Sequence, residues 1–129
     1  MRVGFYQFDS QFGAVAKNLE MVTATLDRAD ADLIVLPELF ASGYQFLSQQ
    51  EAYQLAEPVP DGPTVRCLVD IAKRRKLHLV AGLPERSGSR CYNSAVVVGP
   101  SGFLGCYRKT HLFFEETQYF TPGDSGFLV

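Results

Sequence analysis

No apolar run in this sequence approaches the roughly 20 residues that a membrane-crossing helix needs, so no helical membrane span is expected. The opening stretch, MRVGFYQFDSQF, has too short an apolar segment for a signal peptide. Gln7 and Asp9 interrupt it, and the expected location is cytoplasmic. Charge of one sign is also lacking. The net charge of -2 leaves no basic footprint for nucleic acid and no acidic tail. Cysteine is sparse and odd in number. Cys67, Cys91 and Cys106 show no CxxC spacing, which excludes a disulfide framework and a thiolate zinc site. His78 and His111 stand far apart with no ligand pattern around either, so no metal is expected. Internal repeats, low-complexity tracts and linkers are missing too.

What is present is a globular composition, 47% hydrophobic and 20% charged over 129 residues. That length suits one ordinary domain, able to bury about two thirds of its unfolded surface. Residues 2–8 are apolar and aromatic enough for a first strand. Over 14–29 the period becomes helical. Val15, Leu19, Val22 and Leu26 form one stripe, with Lys17, Asn18, Glu20 and Asp27 at the polar positions. After the turn Asp30-Ala31-Asp32, the aliphatic run LIVL reads as a strand buried on both faces, as in a sheet with helix cover.

Asp61-Gly62-Pro63 resembles a helix start, and residues 63–76 carry an apolar face of Val65, Leu68, Val69 and Ala72. The basic run Lys73 to Lys76 falls in its last turn, where cations suit the negative end of the helix dipole. Residues 77–84 form the next strand. Residues 91–98 and 103–109, around Gly99-Pro100-Ser101-Gly102, carry a hairpin signal. The order is βαβ, a further helix and strand, then an antiparallel pair: an α/β chain with a mixed sheet and covering helices. Residues 110–124 have no clean period, and Gly126 to Val129 look like the start of another strand.

Two apolar runs end in the same way, LIVLPELF at Glu38 and LHLVAGLPER at Glu85. Ligands of α/β sheets gather beyond the carboxyl ends of strands. Pro37 helps to stop the strand there. A carboxylate at that rim is expected to be partly desolvated, the condition for a general base near neutral pH. From position alone Glu38 is equally a solvent-facing or arginine-paired strand end. Glu85 is expected in a polar loop with Arg86, Ser87, Gly88 and Ser89. Lys109 ends a strand beside aromatic residues, where it could stabilise an oxyanion or simply be solvated.

Taken in order, LIVLPELF, YNSAVVVGPSGFLGCYRKTHLF and EETQYFTPGDSGF resemble three segments of the nitrilase superfamily of carbon-nitrogen hydrolases. PDGPTVRCLVDIAKRRKLHLVAGLPER is similar to the helix and strand between the first two. The resemblance implies part of a four-layer α-β-β-α sandwich, with residues 1–129 as the N-terminal portion of a single domain, truncated before the second half. It implies an amidase-type hydrolase of non-peptide C–N bonds, acting on a small-molecule amide or N-carbamoyl amide through Cys-Glu-Lys thioester chemistry. No cofactor is implied, and the family's assemblies suggest a homo-oligomer. Glu38 would be the general base and Lys109 the stabiliser of the tetrahedral intermediate. Glu116 would be a second glutamate that orients substrate or lysine, with Glu115 as its neighbouring rival. Tyr44 matches a position near the substrate pocket, or else packs over the strand ends. His111 is expected to pack or hydrogen-bond.

The family's nucleophilic cysteine follows the TPGDSGF stretch, and is therefore expected beyond residue 129. Cys67, Cys91 and Cys106 read instead as small buried hydrophobes. Cys106 lies three residues from Lys109, so strand alternation places the two on opposite faces. The chain alone is expected to be inactive and to expose strand edges and apolar sheet face. The alternative is a truncated, non-catalytic structural or interaction module.

Overall fold

Apolar runs alternating with amphipathic segments give a five-stranded mixed sheet in the computed structural model, which describes residues 1–127. The strands are β1 (Val3–Phe5), β2 (Leu33–Val35), β3 (His78–Ser87), β4 (Arg90–Gly99) and β5 (Gly102–Arg108), lying in sequence order across the sheet. β1, β2 and β3 run parallel, whereas β3, β4 and β5 pair antiparallel. Helix α1 (Val15–Leu26) links the first two strands, and α3 (Pro63–Arg75) precedes the third. A shorter helix, α2 (Gln49–Leu55), and a single turn, α4 (Glu116–Tyr119), sit near the site described below.

One face of the sheet is covered. Ile34, Leu79, Ala81, Leu83, Val96 and Val98 pack against Val22 and Leu26 of α1 and against Val65, Leu68 and Ile71 of α3. At about 1.5–3 kcal/mol per fully buried aliphatic side chain, this face dominates the stability of the layer pair. On the opposite face, Val3, Phe5 and Val35 are exposed, so β2 is covered on one face only and not on both as its aliphatic run suggests. The basic run at the end of α3 is solvent-facing, and Arg74 and Arg75 also bond Asp27 and the Ala29 carbonyl, tying α3 to the exit of α1.

Several expectations need correction. The first strand is Val3–Phe5 rather than 2–8. Asn18, expected on the polar side of α1, is wholly buried. Its side chain bonds both the N–H and the carbonyl of Gln11 and reaches the Ala41 carbonyl at 2.7 Å. A short amide can satisfy all its groups inside the protein, which an alternation rule cannot foresee. Helix α2 was not expected, although Ser48 caps it by accepting the Glu51 N–H and Glu51 reaches back to the Leu47 N–H.

Glu85 is not in a loop. β3 continues through Pro84 to Ser87, and Glu85 is a buried strand residue. Gly126 and Phe127 are not in a strand; the remaining residues of the expected final strand, Leu128 and Val129, lie outside the described residues. Among the described residues, no helix is long and apolar enough to cross a membrane.

Candidate active site

Glu38 sits on a turn that two apolar anchors hold against the sheet. The turn leaves β2 at Pro37; the Leu36 and Phe40 N–H groups bond the carbonyls of Val80 and Gly82 on β3. Leu39 adopts the left-handed region, φ +52°, at a cost of about 1–2 kcal/mol. It is fully buried among Phe46, Ala52 and Phe120, while Phe40 enters the main core. Burying these two side chains offsets the backbone cost. Gly82 permits the approach, because a Cβ there would lie 2.7 Å from the Glu38 Cα.

Lys109 follows β5 directly, and both of its backbone groups are held. Its N–H donates to the Asn93 carbonyl at 2.8 Å, and its carbonyl accepts the Gly123 N–H at 2.9 Å. Gly123 must be glycine, since a Cβ would meet the Arg108 carbonyl oxygen at 2.0 Å. Glu116 opens α4 and is buried.

These three segments converge. Lys109 Nζ donates to Glu38 Oε1 at 2.8 Å and to Glu116 at 3.0 Å. Tyr44 Oη donates to Glu116 Oε1 at 2.7 Å, and the Phe113 N–H donates to Glu116 Oε2 at 2.6 Å. Asn93 Nδ2 donates to Glu38 at 2.6 Å and to Glu116 at 3.0 Å. Burial pushes the Glu116 carboxyl up, but the Phe113 amide, the Tyr44 hydroxyl and Lys109 together outweigh it and hold Glu116 below the usual carboxylate range. Burial likewise works against the charge on Lys109, yet its two carboxylate partners raise it above the ordinary lysine value. Tyr44 is raised by burial and by its bond to Glu116, so it stays a donor. The cluster is thus an ammonium clamped between two carboxylates.

The structure therefore brings Glu38, Lys109, Glu116 and Tyr44 together, and leaves Glu115 and His111 exposed and outside the cluster. Tyr44 does more than pack, because its hydroxyl holds Glu116. The Glu38 side chain is 45% exposed at the strand end, covered on its other sides by Lys109 and Asn93. Asn93 carries no sequence signal by itself beyond its place in YNSAVVV. Beside the cluster, a cavity of about 340 Å³ is lined by Tyr44, Phe46, Leu47, Phe113, Tyr119 and Phe120.

On the helix-covered face, next to Lys109, Arg108 donates two bonds to Glu85, at 2.5 and 3.0 Å, and one to Asp124 at 3.2 Å. Its guanidinium stacks 4.0 Å from the Tyr92 ring centre. Ser94 also donates to Glu85, at 2.7 Å. Burial pushes the Glu85 carboxyl up, but Arg108 and Ser94 outweigh it and hold it below its ordinary value. A carboxylate depressed in the folded state stabilises above its unfolded value of 4.5, and that contribution is lost as pH falls through the folded value. Arg108→Met strands a buried carboxylate, and urea titration should show a loss of about 2–4 kcal/mol at pH 7, discounted because the arginine is partly exposed. The gap to wild type should narrow as pH falls and the stranded Glu85 carboxylate protonates in the folded variant. A pH-independent gap would contradict this role.

The three thiols lie apart from the cluster's chemistry. Cys106 shares the Glu85 face, opposite Lys109, as strand alternation predicts. Burial, reinforced by Glu85, pushes the Cys106 thiol up to about 11. Cys91 is buried under Ala52 and pushed up, mainly by burial, to about 12. Cys67 is on α3, half-buried against the core and 3.6 Å from the Thr23 hydroxyl. Cys67 and Cys106 are thus only partly buried, unlike the expectation for all three.

With the fold and cluster in place, the chain belongs to the carbon-nitrogen hydrolase family, whose pattern it matches over residues 3–129. It is 42% identical to a nitrilase of Pyrococcus abyssi over 132 aligned positions, covering 100% of this chain and 50% of that protein. It is 36% identical to an (R)-stereoselective amidase of a Pseudomonas species, covering 96% and 45%. An N-carbamoylputrescine amidase of Solanum lycopersicum is 32% identical, covering 85% and 39%. Among solved structures, a CN-hydrolase superfamily protein of Xanthomonas campestris superposes with a TM-score of 0.84 at 28% identity, covering 96% of this chain and 46% of that one. The chain thus spans about half the length of the curated relatives it matches.

Proposed function

We propose that the full-length protein is an amidase-type hydrolase that cleaves the C–N bond of a small-molecule amide or N-carbamoyl amide through a cysteine thioester. The observation that carries this is the Lys109 ammonium held 2.8 Å from Glu38 and 3.0 Å from Glu116, with the three side chains arriving from separate segments of a sheet's rim. Residues 1–129 are the N-terminal portion of that single domain, and a second sheet covers the open face around Phe5 and Val35, completing the α-β-β-α sandwich.

In this chemistry Glu38 takes the proton of a cysteine thiol outside residues 1–129. The thiolate attacks the amide carbon, and Lys109 stabilises the oxyanion that forms. Glu38 returns the proton to the nitrogen as the C–N bond breaks, and ammonia or an amine leaves. Water, deprotonated by Glu38, then attacks the thioester, releasing the carboxylic acid and restoring the thiol. Glu116, already anchored by Tyr44 and the Phe113 amide, fixes the lysine between the steps. The aromatic cavity beside Tyr44 supplies space for the acyl group.

Nothing in the cycle requires a cofactor, and the working form is a cytoplasmic homo-oligomer. Assays of ammonia and acid release with simple amides, N-carbamoyl amides and nitriles provide the test. Turnover of amides or carbamoyl amides, abolished by thiol alkylation, is expected; turnover that survives complete alkylation would contradict the thioester route.

A further inference from the structure

Asn93 lies within β4, is 3% exposed, and touches all three charged members of the cluster. Its backbone carbonyl accepts the Lys109 N–H at 2.8 Å. Its side-chain nitrogen donates to Glu38 at 2.6 Å and to Glu116 at 3.0 Å. Carboxylates only accept, so the amide must turn its NH₂ group, with two donors, toward them. A buried polar side chain on a pleated strand has little freedom to move. Asn93 is therefore a fixed point, whereas Lys109 is a long side chain with flexible torsions.

The two carboxylates depend on this point unequally. Glu116 receives hydrogen bonds from Tyr44, the Phe113 N–H, Lys109 and Asn93. Glu38 is 45% exposed, and among the described residues its side chain receives bonds from Lys109 and Asn93 alone. If Asn93 were lost, Glu116 would keep three donors and Glu38 would keep one. We infer that Asn93 is a positioning residue for Glu38: its amide holds the base carboxylate at a fixed place and offsets its repulsion from Glu116. This rests on the hydrolase assignment above, but is separable from it by experiment.

The test compares Asn93→Ala and Asn93→Asp in the full-length protein, with Glu38→Gln as control and an amide that wild type turns over as substrate. Asn93→Ala removes the donors. Asn93→Asp keeps the shape but sets a third carboxylate against the other two. The expected result is a kcat about tenfold lower for alanine and about a hundredfold lower for aspartate, from the loss of a hydrogen bond to a charged group and then added repulsion. KM should stay within about threefold. The acid limb of the kcat/KM profile should move to higher pH, further for aspartate than for alanine.

The position of that limb and KM do not depend on how much of a variant is folded, so a poorly folding variant still gives an answer. An unmoved acid limb in both variants would overturn the role, as would an alanine variant with at least half of wild-type kcat. The control separates the two claims. If Glu38→Gln costs less than tenfold, the hydrolase assignment itself fails. If Glu38→Gln costs a hundredfold or more and the limb does not move in the Asn93 variants, only the positioning role fails.

Discussion

Replacing Glu38 with glutamine in the full-length protein is expected to lower kcat/KM by about 10²–10⁴-fold, the usual contribution of a positioned general base. The side chain keeps its size and can still accept a bond from Lys109, now 2.8 Å away as an ion pair. It can no longer take a proton. The turn that carries it is anchored by Leu39 and Phe40, not by the carboxylate, so thermal stability should change little. Steady-state kinetics with a thermal melt on the same sample checks both parts. Turnover within about tenfold of wild type would remove Glu38 from the chemistry.

Removal of Lys109 should have a comparable effect for a different reason. Lys109→Met keeps much of the aliphatic stem and deletes the charge, and should lower kcat by about 10²–10³-fold, the typical cost of one oxyanion donor. It also leaves Glu38 and Glu116 facing each other across the space that the ammonium filled. Like charges so placed disfavour joint ionisation, so activity should fall off at a higher pH on the acid side than in wild type. Lys109→Arg should not restore the rate, because the planar guanidinium cannot take the place of a compact ammonium between two carboxylates at 2.8 and 3.0 Å. Full activity in the arginine variant, measured by initial rates across pH, would show that only the charge matters.

The order of strands and helices was legible in the sequence because each element carries its own period or punctuation. The stripe from Val15 to Leu26, the proline at the start of α3 and the Gly-Pro turn between β4 and β5 are local signals, and the observed elements follow them. Meeting of Glu38, Lys109 and Glu116 was expected only from the resemblance, since nothing local links positions 71 and 7 residues apart. What stayed hidden depends on partners distant in sequence. Glu85 reads as a loop residue beside Arg86 and Gly88, yet Arg108 and Ser94 allow a strand to bury it. Asn18 reads as a polar-face residue and Asn93 carries no local signal, but each finds its partners across the fold. Helix α2 does have a local signal, the Ser48-Glu51 pair, but no extended apolar stripe accompanies it.

Service of Glu38, Lys109 and Glu116 to a thioester-forming cysteine can be observed in a trapped intermediate. It is tested most directly by intact-mass and peptide mapping of the full-length protein quenched during turnover of an amide. The expected result is an added mass equal to the acyl group, on one cysteine outside residues 1–129, absent in Glu38→Gln. An adduct on Cys67, Cys91 or Cys106, or turnover with no cysteine adduct under conditions that trap a thioester standard, would contradict it.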